Sequence, residues 1–205
     1  MRKRIILSLA LAGVVAVMLF PGGPAEADLN ALLRGDYAFS GSSTCLVSRG
    51  GFNPNLTPFG PPAPFPFVIS FSVQGVRTFN GDGTGKVATR SVAVSHPFAL
   101  PTTPPFFSRG GASSSDTQAD FTYEVAADRT FTTGNLTVLG TILTGPETGQ
   151  TFSIANVPPF SGLMSRDFST LTVNHDVPGV ETITFSDGDV QHRICLRSRI
   201  HLKLK

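Results

Sequence analysis

Four histidines (His96, His175, His192 and His201), Arg77 and two cysteines (Cys45 and Cys195) carry most of the chemistry this chain could perform. A histidine works as an acid or base only where its surroundings tune and enclose it. His96 and His175 fall in loop-like stretches, and His201 falls among the polar residues of the terminal segment. His192 alone is in phase with apolar residues, Val190, Ile194, Leu196 and Ile200, so it is the histidine expected inside a cavity. Arg77 is the other group that an enclosed pocket would turn to chemistry. No Gly-x-Ser-x-Gly elbow, His-Glu-x-x-His pair or nucleotide-binding glycine loop follows residue 27, and no catalytic residue or cofactor is assigned.

Asn80-Gly81-Asp82-Gly83-Thr84-Gly85 repeats oxygen side chains in the manner of a calcium loop. The position that would close such a loop with a bidentate glutamate holds Ser91, and strand-like residues flank the segment, so it reads as a hairpin turn. A metal site on the cysteines would need nearby histidine or carboxylate ligands, and none flank either one. An even pair of cysteines in an oxidising compartment reads instead as a disulfide, Cys45 to Cys195.

That compartment is written at the N-terminus. Arg2, Lys3 and Arg4 precede an apolar run from Ile5 to Phe20, a Pro21-Gly22-Gly23-Pro24 break and Ala25-Glu26-Ala27. This order is the pattern of a cleaved secretory signal over residues 1–27, and the run is too short for a comfortable membrane span. Three of the 16 basic residues and one of the 14 acidic residues lie in it, leaving 13 of each in residues 28–205. A neutral domain of this length gives no electrostatic argument for a nucleic-acid partner, and no transmembrane segment follows the signal.

The elements that must position these residues are strands. Phe67, Ile69, Phe71 and Val73 alternate with polar or smaller residues, as do Phe121, Tyr123 and Val125. In the terminal strand the same rule places His192, Ile194, Leu196 and Ile200 on the inner face, and Gln191, Arg193, Arg197 and Arg199 on the outer one. Further strands are expected near 36–46, 85–96, 130–143, 150–157, 162–173 and 180–186, with one helical turn at 28–33. Eight or nine strands joined by short turns predict a single all-β domain, an antiparallel up-and-down barrel, with a β-sandwich as the alternative. A Cys45–Cys195 bridge favours the barrel, because it joins the first strand to the last. Its phase conflicts with the pattern, since Cys195 lies among the arginines while Cys45 is in phase with Tyr37 and Phe39. A bulge at Gly41, or an early end to the first strand, would reconcile the two.

Two Pro/Phe-rich segments, 51–66 and 97–118, read as long loops on one rim, carrying Phe52, Phe59, Phe65, Phe98, Phe106 and Phe107. Gly35-x-Tyr37-x-Phe39, Thr78-Phe79-Asn80-Gly81-Asp82-Gly83, Phe121-Thr122-Tyr123-x-Val125 and the basic terminal strand occur in an order that resembles exported bacterial β-barrel proteins of broadly lipocalin-like (calycin-like) architecture. The resemblance implies a barrel without implying a reaction. The expected function is non-catalytic binding of a small apolar ligand, with Phe71, Tyr123 and His192 as inward contacts. A surface protein that docks a protein or envelope partner through its Pro/Phe-rich rim is the alternative, and a small-barrel cyclase or isomerase a third.

Overall fold

The computed structural model describes residues 29–60, 65–96, 99–100, 106–107 and 110–205. The expected signal segment and Phe98 lie outside the described residues. After a 3-10 turn at Leu29–Leu32, the chain forms β1 (Arg34–Ser48), β2 (Phe67–Asn80) and β3 (Thr84–Ser95). A short hairpin of β4 (Ala99–Leu100) and β5 (Phe106–Phe107) precedes the long strands β6 (Gly111–Val125) and β7 (Thr130–Thr144). Four short strands follow: β8 (Thr151–Ala155), β9 (Ser161–Met164), β10 (Thr170–Asn174) and β11 (Val180–Phe185). The last strand is β12 (Val190–Lys203).

Antiparallel neighbours run β1-β2-β3-β6-β7 in order, and β12 returns to pair with β1. Between β7 and β12 the wall has two storeys. β8 pairs with the upper part of β7 and β9 with its lower part, so the two are halves of one broken strand. β10 and β11 are likewise the halves of the next, pairing with opposite ends of β12. The result is a closed, eight-stranded up-and-down ring, as the strand count and the cysteines anticipate. The β1–β2, β3–β6, β7–β8 and β11–β12 connections share the upper rim.

Two boundaries differ from expectation. Residues 162–173 form a hairpin rather than one strand, because the Asp167 carboxylate accepts from Ser165 Oγ (2.7 Å) and Ser169 Oγ (2.9 Å) and turns the chain. Residues 111–118, assigned to the second loop, belong to β6. Their small hydroxyl side chains pair across the ladder, Ser91 with Ser115 at 2.9 Å and Ser114 with Thr144 at 2.8 Å. An inner wall built partly of serine and threonine hides the usual alternation.

The lower half of the ring is solid. Phe79 is its hub, with the rings of Tyr37, Phe121, Tyr123 and Phe131 edge-on at 5.0–5.7 Å, a geometry that adds to the gain from burial. Both tyrosine hydroxyls tie down the lower rim. Tyr37 donates to the Phe168 carbonyl at 2.6 Å, and Tyr123 donates to the Leu33 carbonyl at 2.8 Å while accepting from Gly81 N at 3.0 Å. The Asn80–Thr84 segment is a hairpin turn, in which Asp82 Oδ1 accepts from Thr84 N at 2.9 Å. No helix among the described residues is long and apolar enough to cross a membrane. The outer wall carries the pairs Arg90–Asp116 and Lys86–Asp120, charges that a lipid-facing barrel belt disfavours.

Candidate functional site: an arginine-lined chamber

The disulfide settles which way β12 faces. Cys45 and Cys195 are directly opposite in the β1–β12 ladder and are bonded, with both side chains buried. β1 keeps a regular register past Gly41 as far as Val47, so the bulge or early end expected there is absent. The odd-numbered residues of β12 therefore point inward. Arg193 and Arg197 are buried and His201 is fully so, whereas Leu196 is 74% exposed and Ile200 49%. The expected phase of this strand is thus inverted. His192 lies on the outer wall, with its Nδ1 3.3 Å from Thr182 Oγ1 and the Gly51 end of the first loop packed near it. His201, expected among exposed polar residues, is inside.

Above the aromatic plug, the interior opens into a chamber of about 110 Å³ lined by Arg77, Arg193, Arg197, Arg199, Phe71 and Phe160, among others. A wider vestibule of about 400 Å³ leads to the upper rim, and its walls include Phe67, Ile69, Ile142 and Phe185. The two spaces share Phe71, Ser115, Phe152 and Arg193. Phe71 faces the interior at the neck, with the Arg193 guanidinium carbon 5.6 Å from its ring centroid. Tyr123 is inward but belongs to the solid lower half, and its hydroxyl is spent on the rim.

The broken wall supplies the chamber floor. Between β8 and β9 the chain leaves the ladder, and Phe160 turns in, buried, its N–H donating to Thr133 Oγ1 at 2.9 Å. The guanidinium carbons of Arg77, Arg197 and Arg199 stand 5.8, 5.9 and 4.9 Å from its ring. His175, from the matching break between β10 and β11, stacks on the same ring at 4.2 Å. Its Nε2 is 2.7 Å from Arg197 Nη1, and its Nδ1 is 3.1 Å from the Pro159 carbonyl. Arginine can only donate, so Nε2 accepts and Nδ1 carries the proton. Burial, followed by the charge of Arg197, lowers the pKa of this imidazole and keeps it neutral.

Glu181 is the only fully buried carboxylate among the described residues. Its Oε2 accepts from Arg193 Nε and Arg197 Nη2, both at 2.7 Å, and its Oε1 accepts from Arg197 Nη1. Burial would raise its pKa, but the charges of Arg193 and Arg197 outweigh burial and hold it at about 2. Among the described residues, Arg77 and Arg199 have no carboxylate partner. Arg77 is 1% exposed and lies 4.8 Å over Phe121, and its Nε and Nη1 find no acceptor among the described residues. Arg199 Nε is equally unpartnered, although its guanidinium lies 5.4 Å from the Phe39 ring. Gly41, opposite Arg199, makes room for it, since a Cβ there would come within 2.7 Å of Arg199 Cγ.

His201 carries a pH signature. Burial, then the charges of Arg77 and Arg199, push its pKa from 6.5 down to about 3. The folded protein holds it neutral while the unfolded chain protonates it, so its contribution is complete above pH 6.5 and is lost as pH falls towards 3. Urea unfolding should show stability falling by about 1.4 kcal/mol per pH unit for each such histidine across that window. His175 acts in the same direction, and Glu181 adds to the loss only below about pH 4.5. Replacing His201 with Phe should flatten the slope by one proton; an unchanged slope would remove His201 as its source.

The fold and the site together define a disulfide-closed, eight-stranded meander barrel with a packed base and a cationic upper interior. Compared with known protein families, curated proteins and solved structures, the chain matches none of them.

Proposed function

We propose that this protein is an exported, non-catalytic binding barrel that takes one small, largely apolar ligand into its upper interior. The observation that carries the reading is the division of the barrel into a solid lower half and a hollow upper half. Small-molecule sites are concave, mainly apolar and of a few hundred Å³ or more, with a few polar groups that fix orientation. A vestibule of about 400 Å³ above a smaller polar chamber has that form. Barrels of about eight strands have room for side chains or for one small ligand, and here the two uses divide the length of one barrel. The export part of the reading rests on the N-terminal signal pattern and on the disulfide, which persists in oxidising compartments.

The test is titration with dansylamide, a neutral apolar fluorophore. Saturable one-site binding with a blue-shifted emission is expected. Ser115→Phe places a ring in the neck shared by the two spaces, and it should abolish the signal while thermal unfolding stays cooperative. Absence of saturable binding to the intact wild-type protein would overturn the reading.

A further inference from the structure

We infer that the ligand presents an anionic head group, a carboxylate, to Arg77 and Arg199 at the bottom of the chamber, with its apolar part in the vestibule. This rests on the binding-barrel reading above. Four arginines line the chamber and, among the described residues, a single buried carboxylate, Glu181, answers them. Glu181 is fully engaged by Arg193 and Arg197, accepting three hydrogen bonds from them.

Arg77 and Arg199 are held differently. Their guanidinium carbons lie 4.8–5.4 Å from the ring centroids of Phe121, Phe160 and Phe39. Such a ring contact is a cation–π attraction and supplies no counter-charge. Arg77 Nε and Nη1 and Arg199 Nε are buried and have no acceptor among the described residues. A guanidinium holds its proton strongly, and withdrawing one from water without a counter-charge is costly. Burial lowers the Arg77 pKa to about 10, so this group still carries its charge at neutral pH. Burial, followed by the charges of Arg77 and Arg197, lowers Arg199 well below the usual arginine range, a shift that a bound anion would oppose. Two such cations line one chamber without a carboxylate of their own among the described residues, and a planar, two-oxygen anion is the group that matches a guanidinium. The chamber of about 110 Å³ has room for a head group, and the vestibule above it, with Phe67, Ile69, Phe71, Ile142 and Phe185 in its walls, for a tail.

The experiment is isothermal titration of decanoate and of decanol, which share a tail and differ in head charge, into the disulfide-bonded protein. Charge-assisted hydrogen bonds predict about ten-fold or greater preference for decanoate. Arg77→Met and Arg199→Met should each erase most of that preference while leaving decanol binding in place. Arg90→Met, which removes a charge from the outer wall, should leave it intact. Equal affinity for the two probes in wild-type protein would overturn the anionic head group and leave the binding barrel standing. Failure of both to bind would overturn the two proposals together.

Discussion

Glu181→Gln should cost the fold about 3–5 kcal/mol, the range measured when one partner of a buried ion pair is removed. Glu181 is completely buried, and the two guanidiniums that meet it have side chains only 7% and 11% exposed. The substitution strands both of them beside Arg77 and Arg199, so four cations share one interior without a buried counter-ion. Denaturant unfolding at neutral pH measures the loss, and a change below about 1 kcal/mol would contradict the assigned pairing. The complementary variant, Glu181→Leu with Arg193→Met and Arg197→Met, removes the whole network. Apolar replacement of a buried network is often neutral or stabilising, so this variant should recover most of the loss. Recovery would place the purpose of these charges in the chamber's contents rather than in the stability of the barrel.

Removing the disulfide should lower stability by about 3–5 kcal/mol. The bond joins residues 150 apart in sequence, and the chain-entropy account of such a loop gives about 5 kcal/mol as an upper figure. It lies at the β1–β12 seam, where the last strand must find the first across the longest separation in the sheet. Denaturant midpoints of wild type and of Cys45→Ala/Cys195→Ala, each with and without dithiothreitol, separate the bond from the side chains. Reductant should lower the wild-type midpoint and leave the double variant unchanged. A double variant as stable as oxidised wild type would show that the ring closes without its staple.

The barrel was legible in the strand alternation of β2 and β6, in the turn residues, and in two cysteines near the two ends of the domain. The chamber was not, because the usual rule of apolar inside and polar outside reverses along β12. Leu196 and Ile200 face solvent while Arg193, Arg197 and Arg199 face inward. Ion pairing to Glu181 and stacking on Phe71, Phe160 and Phe39 make that inversion tolerable, and those partners come from distant strands that no local pattern reveals. One signal was present. Cys195 is in phase with the arginines, and Cys45 with Tyr37 and Phe39, so a bond between them on regular strands requires the arginine face to be the inner one. Phe160 and His175 were less accessible still. Both enter the interior from breaks in the wall, where strand periodicity has no meaning.

The aromatic plug around Phe79 has a kinetic consequence. If the barrel binds a ligand as proposed, a tube closed at one end offers no through route, and the occupant must leave by the rim through which it came. Exchange is then governed by how easily the neck at Phe71 and Ser115 is passed, and by how long the deepest contact holds. On that reading the barrel would retain and release its ligand at a single face. Enlarging the neck should speed arrival and departure together, leaving the affinity set by the chamber floor.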